Sequence, residues 1–386
     1  METSTTRRRF VAALAGASLS VVSGCGQSQP DTTTTLSPTD TDTDTPSSTS
    51  TRTASRLKRD DRIEHVFEFT DATSPFLTAD GQALYVLTEG GELFAVDGSD
   101  GSRRWHREVG GAGVTRPVVR DETLYLTTSR SEVVAVDTAT GDMDWTVRID
   151  ADGLTSPTVT EERVYVGSED RTVHAIDADG GTERWHQSVG TLDRSSVLAP
   201  PAADGDTLYV GNGNGLVTAL RADTGETVWR ARAGRVRSQP VVAGDRLLVG
   251  HTAGYHLLNT RDGSVVATHS TEAIASQSDV TDGVVYATDF AGDLHAIRTD
   301  TGERVWQFET DGERPPEPAV ANGTVYFNVR NRFAEPFFYA LGTDGTVRWR
   351  WRMPEGVRLY SAPTLVGDTV FVTAETGRLV GLRTDQ

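Results

Sequence analysis

The stretch Val133–Trp145, VVAVDTATGDMDW, carries the pattern that decides the fold of this chain. Its alternating apolar residues indicate a strand, a turn follows, and a second strand ends at the tryptophan. Asp137 is expected to accept hydrogen bonds from the turn amides, and Gly141 to supply the positive φ that closes the hairpin. Trp145 is expected to bury its ring between neighbouring sheets.

The same pattern recurs with a period of about 40 residues, which is typical of a repeat architecture. Related stretches end at Trp105, Trp185, Trp229, Trp306 and Trp349, and a degenerate copy ends at Ala267. Each copy follows a proline-led segment with a tight turn, such as Asp282-Gly283. Each period therefore predicts four short antiparallel strands, and we expect no helix.

A single four-stranded sheet cannot cover both of its faces, but a closed ring of such sheets can. The motif A-x-D-x-x-T-G-x-x-x-W resembles the hallmark of the pyrroloquinoline-quinone (PQQ) repeat family across residues 61–386. The last repeat lacks its fourth strand, and Arg62–Pro75 has the pattern of the missing one. The resemblance and this count together predict an all-β, eight-bladed propeller of four-stranded antiparallel blades, closed by the N-terminal strand.

The resemblance leaves function open, because the PQQ-repeat family contains quinoprotein dehydrogenases and also non-catalytic scaffold lipoproteins of bacterial outer-membrane protein assembly. The vicinal disulfide of the dehydrogenases is missing, since Cys25 is the only cysteine. Calcium ligands and a catalytic base match no motif here. His174 and His295 occupy the same strand position in two repeats, which favours packing over metal binding. We therefore expect no cofactor, with PQQ and calcium as the alternative.

The N-terminal 60 residues have the composition of an export signal and a tether. Residues 1–25 contain TRRRFV, Thr6–Val11, which has the form of a twin-arginine signal, and end in VSGC, which resembles a lipobox. Cys25 would then carry the lipid and anchor the protein to the outer face of the cell membrane. Residues 26–60 are rich in Thr, Ser, Asp and Pro, which predicts a disordered linker.

The charge balance indicates the salt concentration in which the protein works and excludes one class of partner. The formal net charge is −18, and Lys58 is the only lysine. Acids and arginines almost without lysine indicate a protein adapted to strong salt, as in halophilic archaea. Nucleic acid is excluded as a general partner, because binding it needs a basic face.

Binding is expected on the face formed by the links between blades and the turns between second and third strands. Two phenylalanines, Phe333 and Phe337, lie in the largest insertion, where they either form an interface or fold back onto the rim. The candidate arginines of this face are Arg116, Arg194, Arg237, Arg314 and Arg358. They predict an anion site, or a face that is merely less negative. The favoured interpretation is a lipid-anchored scaffold for an unidentified protein or cell-surface polymer; the alternatives are a PQQ-dependent dehydrogenase and a glycan-binding module.

Overall fold

The computed structural model describes residues 63–68, 76–113, 115–190, 196–313, 315–329, 337–353, 359, 361–374 and 377–384. These residues form eight sheets of four antiparallel strands, with no helix among them. The described part of the chain accordingly contains no helix with the length and hydropathy of a membrane span. The predicted all-β, eight-bladed propeller is confirmed.

The first four blades are simple meanders in which each strand pairs with the next along the chain. Blade 1 contains β2 (Phe76–Asp80), β3 (Ala83–Leu87), β4 (Glu92–Asp97) and β5 (Arg103–Glu108). Blade 2 contains β6 (Val118–Arg120), β7 (Thr123–Thr127), β8 (Glu132–Asp137) and β9 (Met143–Arg148). Blade 3 contains β10 (Thr158–Val159), β11 (Arg163–Gly167), β12 (Thr172–Asp177) and β13 (Glu183–Ser188). Blade 4 contains β14 (Ala202–Asp204), β15 (Thr207–Gly211), β16 (Leu216–Arg221) and β17 (Thr227–Arg232).

The next three blades repeat this order, and the eighth takes its outer strand from the start of the chain. Blade 5 contains β18 (Val241–Ala243), β19 (Arg246–His251), β20 (Gly254–Asn259) and β21 (Val265–Ser270). Blade 6 contains β22 (Ile274–Gln277), β23 (Val284–Asp289), β24 (Leu294–Arg298) and β25 (Arg304–Phe308). Blade 7 contains β26 (Ala319–Ala321), β27 (Thr324–Asn328), β28 (Phe337–Gly342) and β29 (Val347–Arg352). Blade 8 contains β30 (Thr364–Val366), β31 (Thr369–Thr373), β32 (Arg378–Arg383) and β1 (Ile63–Glu68).

Blade 8 closes the ring by pairing the two ends of the repeat region. Strand β1 runs antiparallel to β32, with Val66 opposite Val380 and Glu68 opposite Arg378. The prediction that the N-terminal strand completes the last blade is therefore confirmed. Closure leaves no sheet unpartnered at the junction between the first and last repeats.

The core is divided among the contacts between adjacent blades. Each hydrophobic cluster joins two neighbours; Tyr125 and Val133 of blade 2, for example, pack with Val164 and Ile176 of blade 3. A corresponding cluster joins blade 8 to blade 1. Every blade therefore buries both of its faces against its neighbours, which a lone four-stranded sheet could not do.

The residues of the opening motif have the expected local roles. Asp137 Oδ1 accepts hydrogen bonds from the backbone amides of Ala139, at 3.0 Å, and Thr140, at 2.7 Å. Gly141 has φ of +75°. The turns before the second strands also use positive φ, as at Asp282 and Gly283, with φ of 50° and 74°. These dihedrals are typical of the tight hairpin turns that the dipeptide predicts.

Candidate functional site

One face of the ring carries both the links between blades and the turns between second and third strands. Backbone hydrogen bonds join these two sets, as from Val109 to Gly91 at 2.9 Å and from Ile149 to Ser131 at 2.8 Å. We call this the loop face. It is the face on which the sequence predicts binding, because neighbouring links bring segments from different blades together.

A groove of about 580 Å³ opens on the loop face across blades 1 to 4. Its apolar lining comes from the start of β2 and from the links into blades 3 and 4. These lining residues are Phe76, Leu154, Val197, Leu198 and Pro200. Hydroxyl groups from the links and turns complete the lining, at Thr115, Thr128, Ser129, Ser131, Thr155 and Ser156. We call this the loop-face groove.

Leu198 is the most exposed apolar residue of this groove. Leu154 and Val197 are buried, but 45 % of Leu198 remains exposed. It lies in the link from blade 3 to blade 4, before Pro201. Arg116 and Glu169 contribute one charge of each sign to the lining. An apolar surface edged by hydroxyls and a few charges is typical of a site that binds an extended chain or a small amphipathic ligand.

The structure separates the candidate residues rather than gathering them into one site. Arg116 lines the loop-face groove, and Arg237 is exposed in the link from blade 4 to blade 5. Phe337 is half-buried at the start of β28, where Arg350 lies 4.8 Å from its ring centroid and Tyr339 lies 5.9 Å away. It also packs against the core cluster between blades 6 and 7. The remaining candidates, Cys25, Arg194, Arg314, Phe333 and Arg358, lie outside the described residues.

Arg116 is also part of a second cavity, which lies between the innermost strands. This cavity has a volume of about 300 Å³ and is lined from blades 1, 2, 6, 7 and 8. Arg116 Nη1 lies 3.1 Å from Glu317 Oε2, and its Nε donates to the carbonyl oxygen of Leu77 at 3.2 Å. The ion pair thus joins blade 2 to blade 7 across the channel of the ring.

The environment of Glu317 disfavours its charge. Burial inside the channel raises the pKa of this carboxyl group, and the carboxylate of Asp279 raises it further. The guanidinium of Arg116 acts in the opposite direction. The side chain nevertheless remains 41 % exposed to the channel. An acid in this setting is held closer to its neutral form than an ordinary surface glutamate.

Comparison with known families decides the affiliation of this ring. The sequence matches the family described as outer membrane protein assembly factor BamB, over residues 39–167, 110–306 and 256–386. The chain belongs to this BamB family. A search of curated proteins found no match to the sequence. Family membership accounts for the repeat, the motif and the ring together.

Solved structures share the fold of this BamB-family propeller at low sequence identity. BamB from Moraxella catarrhalis is 16 % identical, with a TM-score of 0.68, covering 83 % of this chain and 99 % of that one. The computationally designed Ika8 protein is 13 % identical, with a TM-score of 0.71 and coverages of 83 % and 98 %. Quinohemoprotein alcohol dehydrogenase ADHIIG from Pseudomonas putida HK5 is 13 % identical, with a TM-score of 0.67 and coverages of 83 % and 76 %. At such identities the likeness concerns the fold alone.

Whether PQQ and calcium would fit this BamB-family propeller depends on the residues that line the second cavity, in the channel of the ring. PQQ carries several carboxylates, which need cationic partners, and calcium needs free oxygen ligands. Among the described residues of the cavity lining, Arg116 is the one guanidinium, and it is already paired with Glu317. Asp279 and Glu317 place two carboxyl groups beside it. This donor set does not fit a polyanionic quinone, and we derive no step through one.

Proposed function

We propose that the protein is a lipid-anchored, extracytoplasmic binding scaffold that holds an extended segment of a partner protein in the loop-face groove. The observation that carries this proposal is the exposure of Leu198 beside the buried Leu154 and Val197. Covering a half-exposed leucine contributes about 1 kcal/mol, which is a useful anchor for a partner side chain. Ser129 and Ser156 offer hydroxyl groups to the backbone of a bound segment.

The proposed scaffold is anchored by lipid and works in strong salt. Lipid on Cys25 holds the protein at the outer face of the membrane, and residues 26–60 act as a tether. The net charge of −18 with a single lysine suits work in molar salt. The assembly role in the family description and the BamB structural neighbour support a scaffold rather than an enzyme. A Cys25→Ser variant should move from the membrane fraction to the soluble fraction.

Site-specific crosslinking on intact cells tests the groove. A photo-crosslinking amino acid at Ser129 should form a discrete adduct with a partner protein, and Leu198→Ser in the same chain should abolish it. A crosslinker at Val228 is the matched control, because this apolar residue is 50 % exposed but lies on outer strand β17. Adducts that persist with Leu198→Ser, or that form equally at Val228, would contradict the proposal.

The same experiment separates a protein partner from a surface polymer. A protein adduct is expected to be degraded by protease and to resist glycosidase treatment. The opposite sensitivity would point to a glycan-binding module. For the dehydrogenase alternative, PQQ is titrated with calcium into the protein in a calorimeter, and we expect no saturable heat. Saturation near one site per chain would overturn the scaffold assignment.

A further inference from the structure

Three side chains with metal-ligating atoms converge on the outer hairpin of blade 3. Glu183 Oε1 lies 3.0 Å from His174 Nδ1 and 3.1 Å from His186 Nδ1. The three ligand atoms all lie within 4.8 Å of one another. None of the three residues lines the loop-face groove, since they lie on strands β12 and β13 rather than in the links of the loop face.

A β-bulge is what brings Glu183 and His186 together. Residues three apart on a regular strand point to opposite faces of the sheet. Here the register of β12 and β13 shifts between Ala175 and Ile176, so that His186 lies opposite His174 and Glu183 lies opposite Ile176. The extra residue turns Glu183 onto the face of His174. A regular hairpin would have left only the two histidines as neighbours.

The bulge recurs in the hairpins of blades 1 to 7, but among these blades only blade 3 has two histidines and a glutamate at the three positions. Register shifts occur at the equivalent pairs in the other six blades. At the positions of His174, Glu183 and His186, blade 1 has Phe94, Arg103 and His106. The equivalent residues elsewhere are Val134, Met143, Thr146; Thr218, Thr227, Arg230; His256, Val265, Thr268; His295, Arg304, Gln307; and Tyr339, Val347, Arg350. The cluster is therefore not a requirement of the fold.

We propose that His174, Glu183 and His186 form a divalent transition-metal site of the zinc type. Two imidazoles and one carboxylate are a zinc ligand set that leaves a fourth position open. With metal–ligand distances of about 2.1 Å, neighbouring ligands of a tetrahedral ion lie about 3.4 Å apart. The separations of 3.0 and 3.1 Å between Glu183 Oε1 and the two histidine nitrogens need to widen by only a few tenths of an ångström. The two nitrogens, which lie within 4.8 Å of each other, need to reach the same spacing.

The ligands differ in mobility in a way that suits metal entry. The side chain of His174 is 7 % exposed, so packing fixes its ring, whereas that of His186 is 69 % exposed and can adjust. One fixed ligand and two adjustable ones allow an ion to enter from solvent without disturbing the core. The bound ion would tie β12 to β13 at the edge of the blade.

A zinc titration of the full chain tests the site. The protein is purified without a histidine tag, in a Cys25→Ser background that removes the only thiol, and is stripped with chelator. Zn²⁺ binding is measured by competition with a chromophoric chelator. We expect one ion per chain, and affinity at least about tenfold weaker for His186→Ala and for Glu183→Gln. Co²⁺ should give the visible absorption of a four-coordinate ion, which both variants should lose.

The chain provides its own control in blade 1. His106→Ala removes a histidine at the position equivalent to His186, where Phe94 and Arg103 replace the other ligands, and should leave zinc affinity unchanged. Thermal unfolding of the metal-free variants checks that they fold. If His186→Ala does not fold, Glu183→Gln alone tests the site. Wild-type protein that binds less than one equivalent, or variants that bind zinc as tightly as wild type, would overturn the assignment.

Discussion

Trp145 of blade 2 donates its indole N–H to the carbonyl oxygen of Ala178 in blade 3, across 2.9 Å. The ring lies over the turn that contains Gly181, where an added Cβ would come within 2.7 Å of the indole. The same donation joins Trp105 to Thr138, Trp185 to Ala222, Trp229 to Thr260 and Trp306 to Thr343. The tryptophan of one motif copy is thus fastened to the turn of the next copy.

The contact between Trp145 and this turn predicts how substitution of Gly181 changes the stability of the protein. Gly181→Ala should lower the free energy of unfolding by about 1–3 kcal/mol, because it combines a strained φ of +65° with a clash against Trp145. Gly205→Ala is the matched control, since Gly205 also has a positive φ, +51°, but nothing lies within 4 Å of a Cβ added there. Denaturant unfolding should separate the two variants. Equal destabilisation would show that the indole contact contributes nothing.

The sequence predicts one of the two roles of this glycine. The turn requires a positive φ, and the repeated motif predicts that requirement at Gly141 and at Gly181. The need for a missing Cβ under the preceding blade's tryptophan involves residues 36 positions apart, as for Trp145 and Gly181. Local patterns set the strands and the count of blades, whereas contacts between repeats appear only once the ring is built.

Ring closure by β1 gives the second prediction. Removing residues 63–68 exposes the edge of β32, which loses five paired positions. We expect a loss on the order of 3–5 kcal/mol and a tendency to associate through the open edge. Thermal unfolding and size-exclusion chromatography measure both effects. Deleting residues 32–55 is the control and should change neither, and an unaffected 63–68 deletion would mean that β1 does not hold the ring.

The cluster of His174, Glu183 and His186 is not predictable from strand alternation. The sequence predicts His174 on a third strand, which the structure confirms, and its equivalence to His295 favours packing over metal binding. The bulge that turns Glu183 towards His174 and His186 is a register effect, and strand alternation alone predicts the opposite arrangement. The loop-face groove is not predictable from the sequence for a related reason: Leu198 becomes a lining residue only because the links into blades 2, 3 and 4 meet there.

The lowered pKa of Asp177 predicts that the protein loses folding stability in acid. Hydrogen bonds from Arg184, and then from the Asp179 amide, lower the pKa of Asp177. A lowered folded-state pKa stabilises the protein above the unfolded value, about 3.9, and this contribution is lost as the pH falls through the folded value. Asp177→Asn should cost about 1 kcal/mol at neutral pH, and the gap to wild type should narrow as the pH falls from about 3.9 through the folded-state pKa. A gap that is constant with pH in denaturant unfolding would contradict the assignment.

The raised pKa of Glu317 predicts a decrease in folding stability as the pH rises, which is the opposite direction from Asp177. Burial raises its pKa, so the unfolded chain ionises first, and stability is lost as the pH rises from about 4.3 through the folded-state pKa. Glu317→Gln removes this titration while it retains an oxygen that can accept from Arg116. We expect wild-type stability to fall relative to that of the variant across this window, as measured by denaturant unfolding at stepped pH. If the difference in stability between wild type and Glu317→Gln stays constant across this window, the channel carboxyl is not the group that titrates.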